Sequence, residues 1–458
     1  MKRGVGACAA FVAVGLGLLA VADAQPIDPK RPRTLTVGPP RGVSPTSRVD
    51  GRRSGFAQVP LPAGALRIAW RRTLNLTVEH APLVFENGDV AVVTGRCDVA
   101  ILDSEGTEKL HGPAIPGASN PGASTLLSDG TVVFVTAQGD AIGVRGDALR
   151  FRTRFVGPGS PPASGTTNER AAGGVAPLGL SDGGVVVGSG TELATLDADG
   201  AIRARATLDE PIAAPLVSAM GKVAVTTVSG KVMMWSPGRE PMRVGSFGGP
   251  IDARSDDGAA LVDDHTLLAV LEGKGQLVEL DLVTGIAVTR ATASSGLFLG
   301  PPSIRGGAAH LLGVVPGRIF ALTIDATGQE VARIGLVTFL PSVFSDGGPV
   351  PLTAPAHVGT IVDGTGTLAF TTADGKVGVV TAAGAVEMLG EPLCGRGLLS
   401  SPTSAARGAA IFAGIAPSGV SSRSRSPQDG RNAKSEASFV VACENGTLAK
   451  ISSLSLGE

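Results

Sequence analysis

Tyrosine is absent from this chain of 458 residues, tryptophan occurs twice, and aromatic side chains make up 3% of it. A flat aromatic ligand would therefore find few rings to stack on. Charge is also sparse, 17% of residues against 43% hydrophobic, a balance that argues against disorder. The 65 glycines have no period of three, which excludes collagen. Past the first 24 residues no apolar run reaches the roughly 20 residues that a membrane-spanning helix needs. No nucleophile elbow, phosphate loop or zinc signature is present. The histidines, at 80, 111, 265, 310 and 357, show no pair at metal-ligand spacing.

The first residues have their own logic. Lys2 and Arg3 precede an apolar run from Val5 to Val21, and Ala22-Asp23-Ala24 leads to Gln25. This is the pattern of a secretory signal peptide spanning 1–24, with cleavage before Gln25, so the chain is expected in the periplasm or secreted. Cys8 lies ahead of the apolar run, out of place for lipid attachment. Residues 25–60 are Pro-rich and basic, with Lys30, Arg31, Arg33, Arg41, Arg48, Arg52 and Arg53 against Asp28 and Asp50. They are expected to form an extended linker. The body, 61–458, is acidic overall, which argues against a nucleic-acid partner.

What the body does contain is one phrase repeated eight times, as in 132–144, 223–235, 368–380 and 439–451. Aligned on the second turn, Gly139, Gly190, Gly230, Gly275, Gly317, Gly375 and Gly446 share one column, and Cys97 stands there in the first unit. Glycine recurs because a tight turn needs positive φ. First turns fall at 86–88, 128–130, 181–183, 219–221, 263–264 and 305–307, and third turns at Gly106, Gly146, Gly200, Gly238, Gly285, Gly328 and Gly384. The short β-branched runs between them fit strands. Pro82, Pro177, Pro215, Pro302, Pro355 and Pro402 open the first strands. Such units cannot bury their own faces, so the sequence predicts an all-β fold: a β-propeller of eight four-stranded blades.

Closure of the ring admits two solutions. The run 65–74 resembles the fourth strands at 148–155 and 201–208 and would complete the last blade. Alternatively, 409–415 is the second strand of that blade, the C-terminus supplies the fourth, and 65–74 is surplus. The polar stretch 416–437 is expected to be a disordered surface insertion, and 156–174 reads the same way.

The xPLV openings, the V-x-x-x-x-x-G-x-V-x-x-L core and the Asp-x-x-Gly close resemble the pyrroloquinoline-quinone-like β-propeller repeat family. That resemblance covers most of 61–458. It implies either a quinone-dependent dehydrogenase or a non-enzymatic scaffold. The dehydrogenases of the family carry Trp-bearing docking motifs, adjacent cysteines and a calcium site, whereas this chain has only Trp70 and Trp235 and no adjacent cysteine pair. No cofactor residue carries over, so none is assigned. The function expected is a monomeric scaffold, not an enzyme, that binds another envelope or extracellular protein; the alternative is a quinone- or metal-dependent oxidoreductase with a channel site.

Individual residues add little to this. Asp252, Asp256, Asp257, Asp263, Asp264 and His265 form the densest acidic cluster, and Asp197-Ala198-Asp199-Gly200 faintly echoes a calcium loop, but both fall on turns, where Asp bonds backbone amides. Neither is taken as a metal site, and no catalytic residue is named. His80, ahead of the first Pro-opened strand where loops approach the channel, and Arg96 are the binding-face candidates. Among the cysteines a Cys394–Cys443 disulfide is favoured, with Cys97–Cys443 as the alternative.

Overall fold

The computed structural model describes residues 42–44, 46, 50–78, 80–157, 174–253, 257–315, 318–338, 360–371, 376–390, 393, 410–414, 437–443 and 445–453. Among these, every regular element is a strand. They make eight sheets, each built on four antiparallel strands. Blade 1 runs outward from Leu83–Phe85 to Glu108–His111, and blade 2 from Pro121–Leu126 to Ala148–Arg154. Blades 3, 4 and 5 have innermost strands Leu178–Gly179, Val217–Ala219 and Ala260–Leu261. Those of blades 6, 7 and 8 are Leu297–Arg305, Thr360–Asp363 and Ala410–Gly414. Hydrophobic clusters fill each interface between successive blades and also join the last blade to the first. The molecule is an eight-bladed β-propeller.

The continuous apolar runs follow from this architecture. A middle strand has a neighbouring blade on each face, so odd and even positions both need apolar side chains. In blade 2, Val132 and Phe134 pack toward blade 1, whereas Val133 and Val135 pack toward blade 3. Fourth strands face solvent on one side and alternate instead, as in Ile202–Thr207.

The third turns show why Asp-x-x-Gly recurs. Asp325 Oδ1 accepts the amides of Thr327 and Gln329, each at 2.9 Å, and Asp103 does the same for Glu105 and Thr107. Gly328 then adopts φ +87° and lies so close to the preceding blade that a Cβ would stand 2.0 Å from Arg290 O. The turn glycine is thus a clasp between blades. Cys97, in the glycine column of the second turn, adopts φ +62°, a positive value like those of Gly139, Gly190, Gly230, Gly275 and Gly446, and its amide bonds Thr94 O as that of Gly139 bonds Thr136 O.

The ring is closed by the N-terminal strand Leu66–Thr73. It pairs antiparallel with Thr447–Ser453, in the order Leu66–Thr73, Thr447–Ser453, Ser438–Cys443, Ala410–Gly414. The alternative closure is therefore wrong: 410–414 is the innermost strand, not the second. Trp70 lies against Gly106 of blade 1, where a Cβ would be 2.6 Å from its ring, and its Nε1 donates to Ser104 O at 2.9 Å. The N-terminal strand docks on the next blade as the fourth strand of blade 2 does through Phe151 on Gly200.

The described part of the basic 25–60 segment is extended but does not hang free. It follows the channel in blade order. Gly42–Ser44 adds to blade 1, Thr46 bridges Thr125 of blade 2, and Phe56–Ala57 adds in parallel to blade 7. Between them, Gly51, Arg52, Ser54 and Gly55 each offer a carbonyl to blades 4, 5, 6 and 7 in turn. We call it the strap. The remaining expectations for 1–41, 158–173 and 415–436 lie outside the described residues.

Candidate functional site

The strap runs along the end of the channel where first turns gather, and a single side chain locks it there. Arg53 is 1% exposed and sits at φ +56°. Its guanidinium donates to Leu216 O (3.2 Å), Ala176 O (3.2 Å) and Pro177 O (2.9 Å) and bonds Thr46 Oγ1. Asp50 shapes the turn that aims it, accepting from the Ser54 amide at 2.9 Å and the Ser54 hydroxyl at 2.8 Å. Arginine suits this place because its planar fork satisfies several carbonyls at once.

Beside Arg53 the strap leaves a cavity of about 420 Å³ between itself and blades 2 to 5. It is lined about equally by polar and apolar groups, with Thr46, Thr125, Ser128 and Ser218 beside Leu126, Leu178 and Leu180, and with Asp50, Arg52 and Asp264 carrying charge. Arg52 Nη2 bonds Asp264 Oδ1 at 2.6 Å, with side chains 51% and 75% exposed, so this pair orients the rim and adds little stability. At the lip, Met220 is 40% exposed and held at φ +49°. A bulky residue in that region is strained, and such strain gathers at binding sites.

Among the described residues the lining carries Asp50, Arg52 and Asp264 but no aromatic ring and no histidine or cysteine. A quinone, which the family resemblance implies for its enzymes, does not fit this donor set.

The sequence candidates lie elsewhere. His80 Nε2 is 2.8 Å from Pro121 O, tying the entry of blade 1 to the innermost strand of blade 2. Arg96 is exposed on a second turn, and second turns lie at the opposite end from first turns. Cys443 is fully buried, and Cys97 is buried and in no disulfide, so the Cys97–Cys443 bridge is not formed. Cys394 lies outside the described residues. In the acidic cluster, Asp263 bonds the His265 and Thr266 amides and Asp252 the Gly300 amide; Asp256 lies outside the described residues. Among described residues no three His, Cys, Asp or Glu stand close enough to hold a metal. The cavity itself was not legible, because backbone and scattered turn residues build it.

One buried histidine matters to stability. His310, in the second strand of blade 6, is 8% exposed, with Nδ1 at 3.1 Å from Thr323 Oγ1. Burial, aided by the Arg305 charge, lowers its pKa to about 4. Between about pH 6.5, the ordinary value, and pH 4 the unfolded chain takes up a proton that the native one refuses. Stability present above pH 6.5 is therefore lost as pH falls, by about 3 kcal/mol in all. Urea unfolding of His310→Gln should show a shallower loss over that range than wild type; parallel curves would contradict it.

No protein-family model matches the chain, and no curated protein matches it. Among solved structures it is similar to BamB from Moraxella catarrhalis, at 14% identity and TM-score 0.52, over 85% of this chain and 100% of that one. It is likewise similar to the computationally designed Ika8 protein, at 13% identity and TM-score 0.54, over 85% and 99% of the two chains. Likeness at such identity establishes the shared fold.

Proposed function

We propose that this protein is an envelope-exported binding scaffold, a propeller of the pyrroloquinoline-quinone-like repeat type that receives a protein partner at the strapped end of its channel. The observation that carries this is the cavity, with a strained, exposed Met220 at its lip. An exposed, polarisable thioether suits a protein contact. The leader at 1–24 supports export, and the likeness to BamB is compatible with a scaffold.

The reading is tested by placing a photo-crosslinking residue at 220, and separately at 96, in cells producing the full chain. Discrete protein adducts in the envelope fraction from position 220, and not from 96, are expected. Adducts from 96 alone, or none from either, would refute the site.

A further inference from the structure

Among the described residues seven large apolar side chains are exposed, and three of them share one outer edge. Val283, Ile286 and Val288, 70%, 61% and 59% exposed, lie on the third turn of blade 5 and on its outermost strand, Ala287–Thr292. Met242 of blade 4 and Val331 of blade 6 are exposed as well, at the start of the neighbouring outermost strands. Three residues past the third-turn glycine, where blade 5 has Val288, charge is found elsewhere: Lys109 in blade 1, Arg203 in blade 3 and Glu387 in blade 7.

Ala287–Thr292 is the edge of its sheet. No strand among the described residues pairs beyond it, and the chain is described without a gap from 257 to 315. An open edge invites a second strand, and exposed charge is the usual guard against it. The other outermost strands have that guard, as at Lys109, Arg154 and Arg243. Here the strand's single charge, Arg290, is turned inward, 4% exposed and donating to Asp325 O of blade 6 at 3.0 and 2.7 Å. The Asp281 carboxylate is held within the turn by the Val283 and Thr284 amides, at 2.8 and 2.7 Å. Arg290 also forms a bulge, left over between the pairs Val278–Thr289 and Leu277–Ala291. The regular open edge is thus Ala287 to Thr289, with Val288 at its centre.

A lipid surface would cover the three aliphatic side chains but leave the outward N–H and C=O groups without partners, which hydrocarbon does not tolerate. Another strand edge satisfies both. We propose that a second copy of this chain supplies it: two blade 5 edges pair antiparallel about a two-fold axis at Val288, which then faces its own counterpart with Ile286 beside it. In such an interface each residue meets the same surface on the partner, so the edge must carry no charge of its own. Two edges of blade 2 would set Arg152 and Arg154 against more arginine, and like charges directly opposite repel. Met242 and Val331 widen the contact toward the roughly 800 Å² per partner of a stable interface. The contact lies on the rim, away from the channel. It therefore goes beyond the scaffold reading without resting on it, and it presents two propellers where the sequence suggested one.

Sedimentation velocity of the purified full chain tests it. Wild type should pass from monomer to dimer between about 1 and 100 μM. Val288→Lys and, separately, Val288→Glu should each weaken the dimer at least tenfold, with thermal unfolding of the monomer unchanged. Leu149→Lys, at the matching place on blade 2, should leave association as it is. Mixing V288K with V288E should restore the dimer, a result that requires residue 288 to face itself. A wild type that stays monomeric throughout, a dimer indifferent to both changes at 288, or a mixture that fails to recover it overturns the proposal. A monomer that cosediments with phosphatidylglycerol vesicles, and loses them on Val288→Glu, would also overturn it and give the patch to a membrane.

Discussion

Arg53→Ala should lower the unfolding free energy by about 3–5 kcal/mol, measured by urea titration, because it strips partners from several buried acceptors at once. The guanidinium reaches the carbonyls of residues 176, 177 and 216, on two blades, and the Thr46 hydroxyl of the strap. Among the described residues no other polar side chain of the strap is so deeply enclosed. Arg53→Lys should recover part of the loss, since an ammonium donates three bonds but cannot span the same fork. A loss below about 1 kcal/mol would mean that water entering from the adjoining cavity replaces the guanidinium. The strap would then be an adornment of the channel, not a part of its structure.

Gly328→Ala should be far more damaging than Gly130→Ala, although both glycines sit at φ +87°. The backbone penalty is shared, about 1–2 kcal/mol for an L-residue in that region. The surroundings differ. A Cβ at Gly130 meets nothing within 4 Å, whereas at Gly328 it meets Arg290 O at 2.0 Å. That oxygen belongs to backbone in the neighbouring blade, so relief requires the two blades to part. The excess for Gly328→Ala should be about 2–3 kcal/mol, read as the difference between two thermal or urea unfolding curves. Equal losses would show that the interface relaxes freely and that the clasp contributes nothing beyond its φ.

The sequence and the structure agree where conformation forces composition. Third turns at Gly106, Gly200 and Gly328 demand glycine twice over, for φ and for close approach, so their column stood out. Cys97 could be placed in the second-turn column for the same reason, even as the exception. Blade 8 was harder, because a long polar insertion separates 410–414 from 438–443, and only the pairing order shows which strand is innermost. The strap was read as linker because it binds by main-chain carbonyls, which any sequence possesses. Arg53 looked like one more charge in a basic run, and nothing in its neighbours marks the one that is buried.

The joint at Leu66–Thr73 also sets an order of events. Thr73 and Thr447 face each other across it although 374 residues separate them along the chain. Contacts so distant in sequence form late, after the entropy of closing a long loop has been overcome. The ribosome has released nearly all of the chain before this seam has both its edges. Earlier blades can stack as they are made, but the N-terminal strand must wait, unpaired, for the last blade to arrive. Until that seam forms, the molecule is an open row of blades with two exposed edges.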